Sequence, residues 1–475
     1  YNLYTHHILT PDGKRLFPPG QRLLSHWNLR DEIKAAYSDR NGIEKQRLLA
    51  QVMDAIVQQT IPAAVINNPR VDWTPGTGTV SASRILDVES EPAQTRTLTN
   101  KRENDERYRQ WLGVFAAEKA IDNQDPEFPK FMDRRFARDG EVREKDVESL
   151  LVSILDSPLV DTVAQRIESK LGRKLEPFDI YFDPAGSRGG KTESELDEIT
   201  RARYPNVASF SNDIPRLLRD LGFSADKAKF LSERIAVETA RGSGHAFGIA
   251  RRDDIAHLRT RIASDGMDYK SYNIAIHELG HNVEQLFSTA TIDYSSLYGV
   301  PNSSITEALA FVFQAKDLDL LDLPGAQKNM RATSAFWALR EISGAALVEM
   351  KAWQWLYANP KCSSEQFKTA VVRISREVWN TYFAPSFGVQ DATLLGIYSH
   401  MVQSALYLPD YAMAQLTAFQ IQEHFNRVKG PIGPEFERMA KIGYVTPDEW
   451  LRQAVGSRLS VVPLFEAVKQ ELGPR

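Results

Sequence analysis

His277-Glu278-Leu279-Gly280-His281 places two imidazoles and a carboxylate within five residues. On a helix, positions four apart lie about 40° from each other around the axis, so His277 and His281 share a face. Two imidazoles on one face suit a single Zn2+, and Glu278 is near enough to act on a water at the metal. The flanks predict a buried helix. Ile276, Leu279, Val283, Leu286 and Phe287 form an apolar stripe, while His277, His281 and Glu284 lie on another face. A third ligand is still required. Glu284 and Phe287 occupy the places where the longer zinc pattern would put Gly and His. Glu307, 26 residues after His281, is the better candidate. That distance allows one helix to end, a loop to form and the first turn of a second helix to return to the metal. Ser304-x-x-Glu307 also reads as a capping box, in which the carboxylate satisfies a helix N-terminus instead. Spacing alone leaves both roles open.

Composition narrows the chemistry further. The 475 residues carry 58 Lys+Arg against 62 Asp+Glu, a net charge of −4, which gives no electrostatic footprint for nucleic acid or an anionic membrane. With one cysteine, Cys362, the chain cannot form an internal disulfide or a site built on several thiolates. A tightly bound metal must therefore use histidine and carboxylate ligands. Nine histidines are available: His6, His7, His26, His245, His257, His277, His281, His400 and His424. No stretch approaches the apolar length that spans a bilayer. The chain begins at Tyr1 without a basic–apolar leader, which reads as a processed start, and a cytoplasmic location is the expectation.

The elements that must position these residues are mostly helical. Apolar residues recur at steps of three and four over Asp146–Gly172, Ile214–Leu221, Ala335–Leu356, Phe367–Tyr382 and Leu394–Phe425. Strand-like alternation is confined to Phe178–Phe182 and Ala246–Ala250, and Arg84–Arg107 reads as an exposed polar connection. Ala185–Thr192 nearly fits a phosphate-binding loop, but Pro184 interrupts its entry and Glu193, Glu195, Asp197 and Glu198 crowd the following helix start. Those charges suit a helix dipole and repel a nucleotide. The expected fold is mainly α with a small sheet.

Ile276–His281 followed by Ser304–Ala310 resembles the zinc oligopeptidases of the thimet oligopeptidase, oligopeptidase A and oligopeptidase F type, and more distantly angiotensin-converting enzyme. Leu175–Phe182, Tyr204–Gly222, Gly244-His245-Ala246 and the run from His400 through Tyr407 to Tyr411 are similar to further stretches of these enzymes. The resemblance spans about Leu175 to Phe425. It departs from the family at Ser404-Ala405-Leu406, where paired glycines are usual, and at Ala414, where a third tyrosine is usual. Phe311 stands where the converting enzyme has a carboxylate beside its metal ligands.

The resemblance implies two helical lobes around a deep substrate cleft, with a small β-sheet near the active site. It divides the chain into an N-terminal helical region, 1–170, and a catalytic region, 171–475. It favours ligation for Glu307, giving one Zn2+ per chain on His277, His281 and Glu307. Glu278 would assist attack of water on a peptide bond, with Tyr411 or His400 donating to the oxyanion. His245, Ala246 and Tyr407 would bind substrate, with the backbone near Ala246 pairing an extended peptide and Gly242 and Gly244 permitting close approach. The implied activity is hydrolysis of short peptides, of oligopeptidase or peptidyl-dipeptidase type, with no nucleic-acid or membrane partner and an oligomeric state the sequence leaves open. A zinc aminopeptidase should carry Gly-x-Met-Glu-Asn, which is absent. The alternative is a non-catalytic zinc-containing helical protein that binds peptides, to which the missing glycines and tyrosine lend weight.

Overall fold

The computed structural model describes residues 3–18, 22–23, 26–85, 98–186, 190–240, 244–323 and 330–473. Helices dominate them, and the strands form two short antiparallel pairs and one three-stranded sheet, so the fold is mainly α. Among the described residues no helix is long and apolar enough to cross a membrane. The chain forms two compact units, each assembled from separated stretches. One comprises Tyr1–Arg134, Leu151–Phe182 and Arg340–Pro409; the other comprises Arg135–Leu150, Asp183–Leu339 and Asp410–Arg475.

In the first unit the Gly42–Gln58 helix buries Leu48, Leu49, Val52 and Met53. Aromatic side chains lock further helices together. Trp111 meets Phe367 edge-on at 5.0 Å between centroids, and Phe115 meets Trp353 at 5.7 Å. Each such contact adds about 0.5–1.5 kcal/mol beyond area burial.

Several expected elements take other forms, each for a local reason. The Asp146–Gly172 pattern becomes two helices, Glu144–Leu155 and Val160–Leu171. Pro158 between them lacks the N–H that a continuing helix needs. Phe178–Phe182 is not a strand but falls largely in a 3-10 helix over Pro177–Tyr181. Asp179 sets that turn: its carboxylate accepts from the Glu176 backbone N–H at 2.6 Å and from both Arg173 guanidinium nitrogens at 2.6 and 2.9 Å. Leu394–Phe425 is interrupted, giving a turn at Leu394–Gly396, a short helix at His400–Gln403 and the long Leu408–Val428 helix. The break centres on Leu406, whose φ of 57° costs a side-chain-bearing residue about 1–2 kcal/mol. Fully buried Glu349 holds that turn by accepting the backbone N–H groups of Leu406 at 2.8 Å and Leu408 at 3.2 Å. Within the polar Arg84–Arg107 stretch, residues 86–97 lie outside those described, and a helix begins at Glu106.

In the second unit Ala256–Thr260 is the central strand of the sheet, parallel to Ile235–Thr239 and antiparallel to His245–Phe247. The last strand is shorter than the expected Ala246–Ala250. A Cβ on Gly244 would lie 2.6 Å from Ile274 Cγ2 and 2.8 Å from the Arg259 carbonyl, so glycine is required where strand and helix meet. Gly242 lies outside the described residues, as do Ser187–Gly189 of the phosphate-loop-like stretch. Thr192 after that stretch caps the Glu193–Arg203 helix in a reciprocal box with Glu195.

The core of this unit is built on the Tyr269–Gln285 helix, which Asp268 caps by accepting the Ser271 N–H at 2.7 Å. Tyr272, Ala275, Ile276, Leu279 and Val283 are fully buried along it. They pack with Ile305, Ala308, Leu309 and Val312 of the Ser303–Gln314 helix in one apolar cluster. The two helices touch at Gly280, where an added Cβ would come within 2.8 Å of Ala310 Cα and 3.1 Å of Phe313 Cβ. Backbone cannot yield there as a flexible side chain would. Gly280→Ala is therefore expected to destabilise the protein by about 1–3 kcal/mol despite alanine's better helix propensity. Urea denaturation of the two proteins measures this, and an unchanged or raised midpoint would refute the tight contact.

Candidate metal centre

The close approach at Gly280 brings Glu307, on the second helix, against the histidine face of the first. His277 Nε2 lies 3.3 Å from one Glu307 carboxylate oxygen and His281 Nε2 lies 3.7 Å from the other. One ligand atom from each of the three residues falls within 4.8 Å of the rest. His281 is 9% exposed and Glu307 5%. The imidazole rings stand nearly perpendicular, at 84°, with centroids 4.8 Å apart. The Ser303–Gln314 helix is capped by Asn302, whose side chain accepts the Ile305 N–H at 3.2 Å. Glu307 is thus past the capping position, and its carboxylate faces the histidines.

The residues fit a divalent cation. Metal–ligand bonds of about 2.0–2.1 Å in a tetrahedron put neighbouring ligand atoms about 3.3 Å apart, close to the two nitrogen–oxygen separations found here. Two imidazoles and a carboxylate match zinc and its first-row neighbours rather than Mg2+ or Ca2+, which prefer oxygen ligands. Burial, with the adjacent His277 charge, holds His281 down at about 4, so its imidazole is neutral at pH 7 as a ligand must be. Each histidine also has a partner on its other nitrogen. His277 Nδ1 meets Gln314 Oε1 at 3.2 Å, and His281 Nδ1 meets Thr306 Oγ1 at 3.0 Å. Phe311 packs its ring 5.2 Å from that of His277.

Glu278 follows His277 on the same helix and is buried. Its pKa is pushed up to about 7, mainly by burial, with the Glu307 charge adding and the His277 charge and the Ala246 backbone N–H opposing. That N–H belongs to the His245–Phe247 strand, so the sheet edge reaches the carboxylate. His245 itself is exposed, its ring edge-on to Phe247 at 4.9 Å. Tyr411 is partly buried and its ring lies 6.3 Å from Phe311, which links it to His277. Beside it, buried Asp410 pairs with Arg135.

The second unit thus gathers His277, Glu278, His281, Glu307, Ala246 and Tyr411. His400 and Tyr407 lie in the first unit, where their rings stack at 6.1 Å and 16°. Sequence reading missed Gln314 and Thr306. A signal was present, since Gln314 lies two turns after Glu307 on one helix face and Thr306 directly precedes it. It is a weak signal, because glutamine and threonine are common on helix surfaces.

No protein-family model matches the chain, and no curated protein does. Among solved structures it is similar to a Chlamydophila abortus protein described as a peptidase, at 12% identity over 78% of this chain with a TM-score of 0.49. The chain spans 62% of that protein's length. It is similar to a Bacillus anthracis str. Ames protein described as an oligoendopeptidase F, at 13% identity over 94% of this chain and 77% of that one, with a TM-score of 0.49. It is also similar to the M32 carboxypeptidase of Deinococcus radiodurans R1, at 13% identity over 94% of this chain and 97% of that one, with a TM-score of 0.37. Likeness at these values assigns neither an activity nor a substrate to this chain.

Proposed function

We propose that the protein is a zinc-dependent metallopeptidase acting on short peptides. The observation that carries this reading is the convergence of His277 Nε2, His281 Nε2 and a Glu307 oxygen within 4.8 Å, with buried Glu278 next to them. A zinc ion on these three residues would polarise a water and the scissile carbonyl and stabilise the charge that develops on attack. Glu278 takes the proton of the attacking water and passes it to the departing amine nitrogen. Its environment suits both transfers, since a base near neutrality can accept a proton and release it again. Tyr411 donates its hydroxyl to the oxyanion.

Substrate is held by the outer edge of the His245–Phe247 strand. In extended backbone the N–H and C=O of one residue point to the same side. The Ala246 N–H is engaged with Glu278. Its carbonyl therefore faces the same side and is the group that accepts from a peptide N–H, while His245 contributes a side-chain contact.

Four measurements test this reading. Glu278→Gln should lower kcat/KM by at least about 100-fold, the scale of general-base removal, while the protein keeps one zinc per chain. Glu307→Ala should lose stoichiometric zinc in metal analysis, and full retention would remove Glu307 from the ligand set. Glu278 works deprotonated, so activity falls as pH drops through its pKa; a bound cation favours the carboxylate and places that limb below about 7. A kcat/KM profile that rises on acidification from pH 7 to 5 would contradict the assignment. A parent protein that binds zinc but cleaves nothing in a broad peptide library would favour the peptide-binding alternative.

A further inference from the structure

Each ligand histidine is followed by a chain of hydrogen bonds that ends on a buried carboxylate, and the donor directions in both chains are fixed from the far end. Asp317 is buried and its carboxylate receives three donors: the Tyr269 hydroxyl at 2.6 Å, the Asn273 side-chain amide at 2.7 Å and the Leu318 backbone N–H at 2.7 Å. In its ionised form a carboxylate so surrounded only accepts. Asn273 must therefore turn its NH2 towards Asp317 and its oxygen the other way, where it accepts from Gln314 Nε2 at 2.7 Å. Gln314 is then left with its oxygen against His277 Nδ1. An amide oxygen cannot donate, so Nδ1 of His277 carries a proton, and Nε2 is the nitrogen turned to Glu307, 3.3 Å away.

The second chain is shorter and built from other groups. Glu284 is buried and accepts from the Ser288 hydroxyl at 2.7 Å and from the Thr306 hydroxyl at 2.8 Å. The only hydroxyl proton of Thr306 is thereby used. Its oxygen can meet His281 Nδ1 only as an acceptor, which again places the ring proton on Nδ1 and the lone pair on Nε2.

We propose that Asp317 and Glu284 are positioning residues that set the tautomer of the two ligand histidines through neutral links, without touching either ring. The consequence for zinc rests on the metallopeptidase reading, whereas the tautomers are a property of the chain itself. The terminal anion is what makes each link directional. Without it the Gln314 amide turns over to offer its NH2, or the Thr306 hydroxyl swings to donate. Either change moves the ring proton to Nε2 and blocks the nitrogen that must bind metal.

The test uses metal-free, 15N-labelled full-length protein and long-range 1H–15N correlation of the histidine rings. The expected spectrum has protonated Nδ1 at both His277 and His281, with a bare Nε2 at His281. Glu284→Gln and Asp317→Asn keep shape but supply an NH2 where only an acceptor stood. They are expected to remove the Nδ1 proton from His281 and His277 respectively and to weaken Zn2+ binding by about 10- to 100-fold in competition with a chromophoric chelator. Thr306→Ser should retain the parent tautomer and affinity, and Thr306→Val should not. A bare Nδ1 at either histidine in the parent overturns the proposal, even if the exchanged variants fail to fold. So do variants that keep both the Nδ1–H tautomer and the parent affinity for zinc within twofold. A parent with the expected tautomers that takes up no zinc supports the two relays and sinks the metal-centre reading instead.

Discussion

Gly280 allows the Tyr269–Gln285 and Ser303–Gln314 helices to meet backbone to side chain, with Ala310 and Phe313 in the space a Cβ would occupy. That contact sets where Glu307 stands relative to His277 and His281, because both ligand sets are rigid extensions of helices whose opposite faces are fully buried. A Cβ at 280 would have to push the helices apart by roughly half an ångström to reach ordinary contact with Ala310, and metal–ligand distances tolerate only about 0.2 Å. The apolar core under the two helices and the short sheet beside them hold the approach in place. Gly244 repeats the device on the other side, letting the His245–Phe247 strand reach the same helix at Ile274 so that its Ala246 N–H meets Glu278.

The histidine pair was legible in the sequence because its spacing is local: a helix brings positions four apart onto one face whatever surrounds it. Glu307 was legible only as one of two roles, since a chain distance of 26 residues fixes no direction. Asn302 capping the helix in place of Ser304 removes the competing role. The relay residues were not legible. Asn273, Gln314 and Asp317 come from two helices and the turn after them, and they form a directed chain only when packing makes them neighbours. Apolar periodicity found the long helices and misjudged their ends. It cannot see that Pro158 withholds an N–H, nor that Asp179 gathers Arg173 and the Glu176 backbone into a turn where alternation suggested a strand.

Leu406 shows the same limit from the other direction. Its left-handed backbone would be expected of a glycine, and glycines are what the resembling enzymes carry nearby. Here the turn is kept with a buried leucine, through two backbone N–H groups donated to Glu349, a residue 57 positions earlier in the chain. Residue identity at a turn is therefore a poor guide to its conformation when a buried carboxylate imposes that conformation from outside.

The buried carboxylates around the metal centre divide by what they face. Glu284 and Asp317 are each surrounded by neutral donors, two hydroxyls in one case and a hydroxyl, a side-chain amide and a backbone N–H in the other. Burial raises both above the ordinary carboxylate range, and these donors oppose that rise. Glu278 and Glu307 face each other's charge and the histidines instead, and burial with mutual repulsion lifts Glu278 to about 7. That arrangement is costly in an empty site, because one carboxylate or the other is driven to take a proton. A divalent cation held by His277, His281 and Glu307 would reverse the balance, because it would add positive charge beside both carboxylates. The outer pair fixes ring orientation with neutral groups, and the inner pair is left for the cation to satisfy. This division is what a structural helix pair would not need and a metal site does.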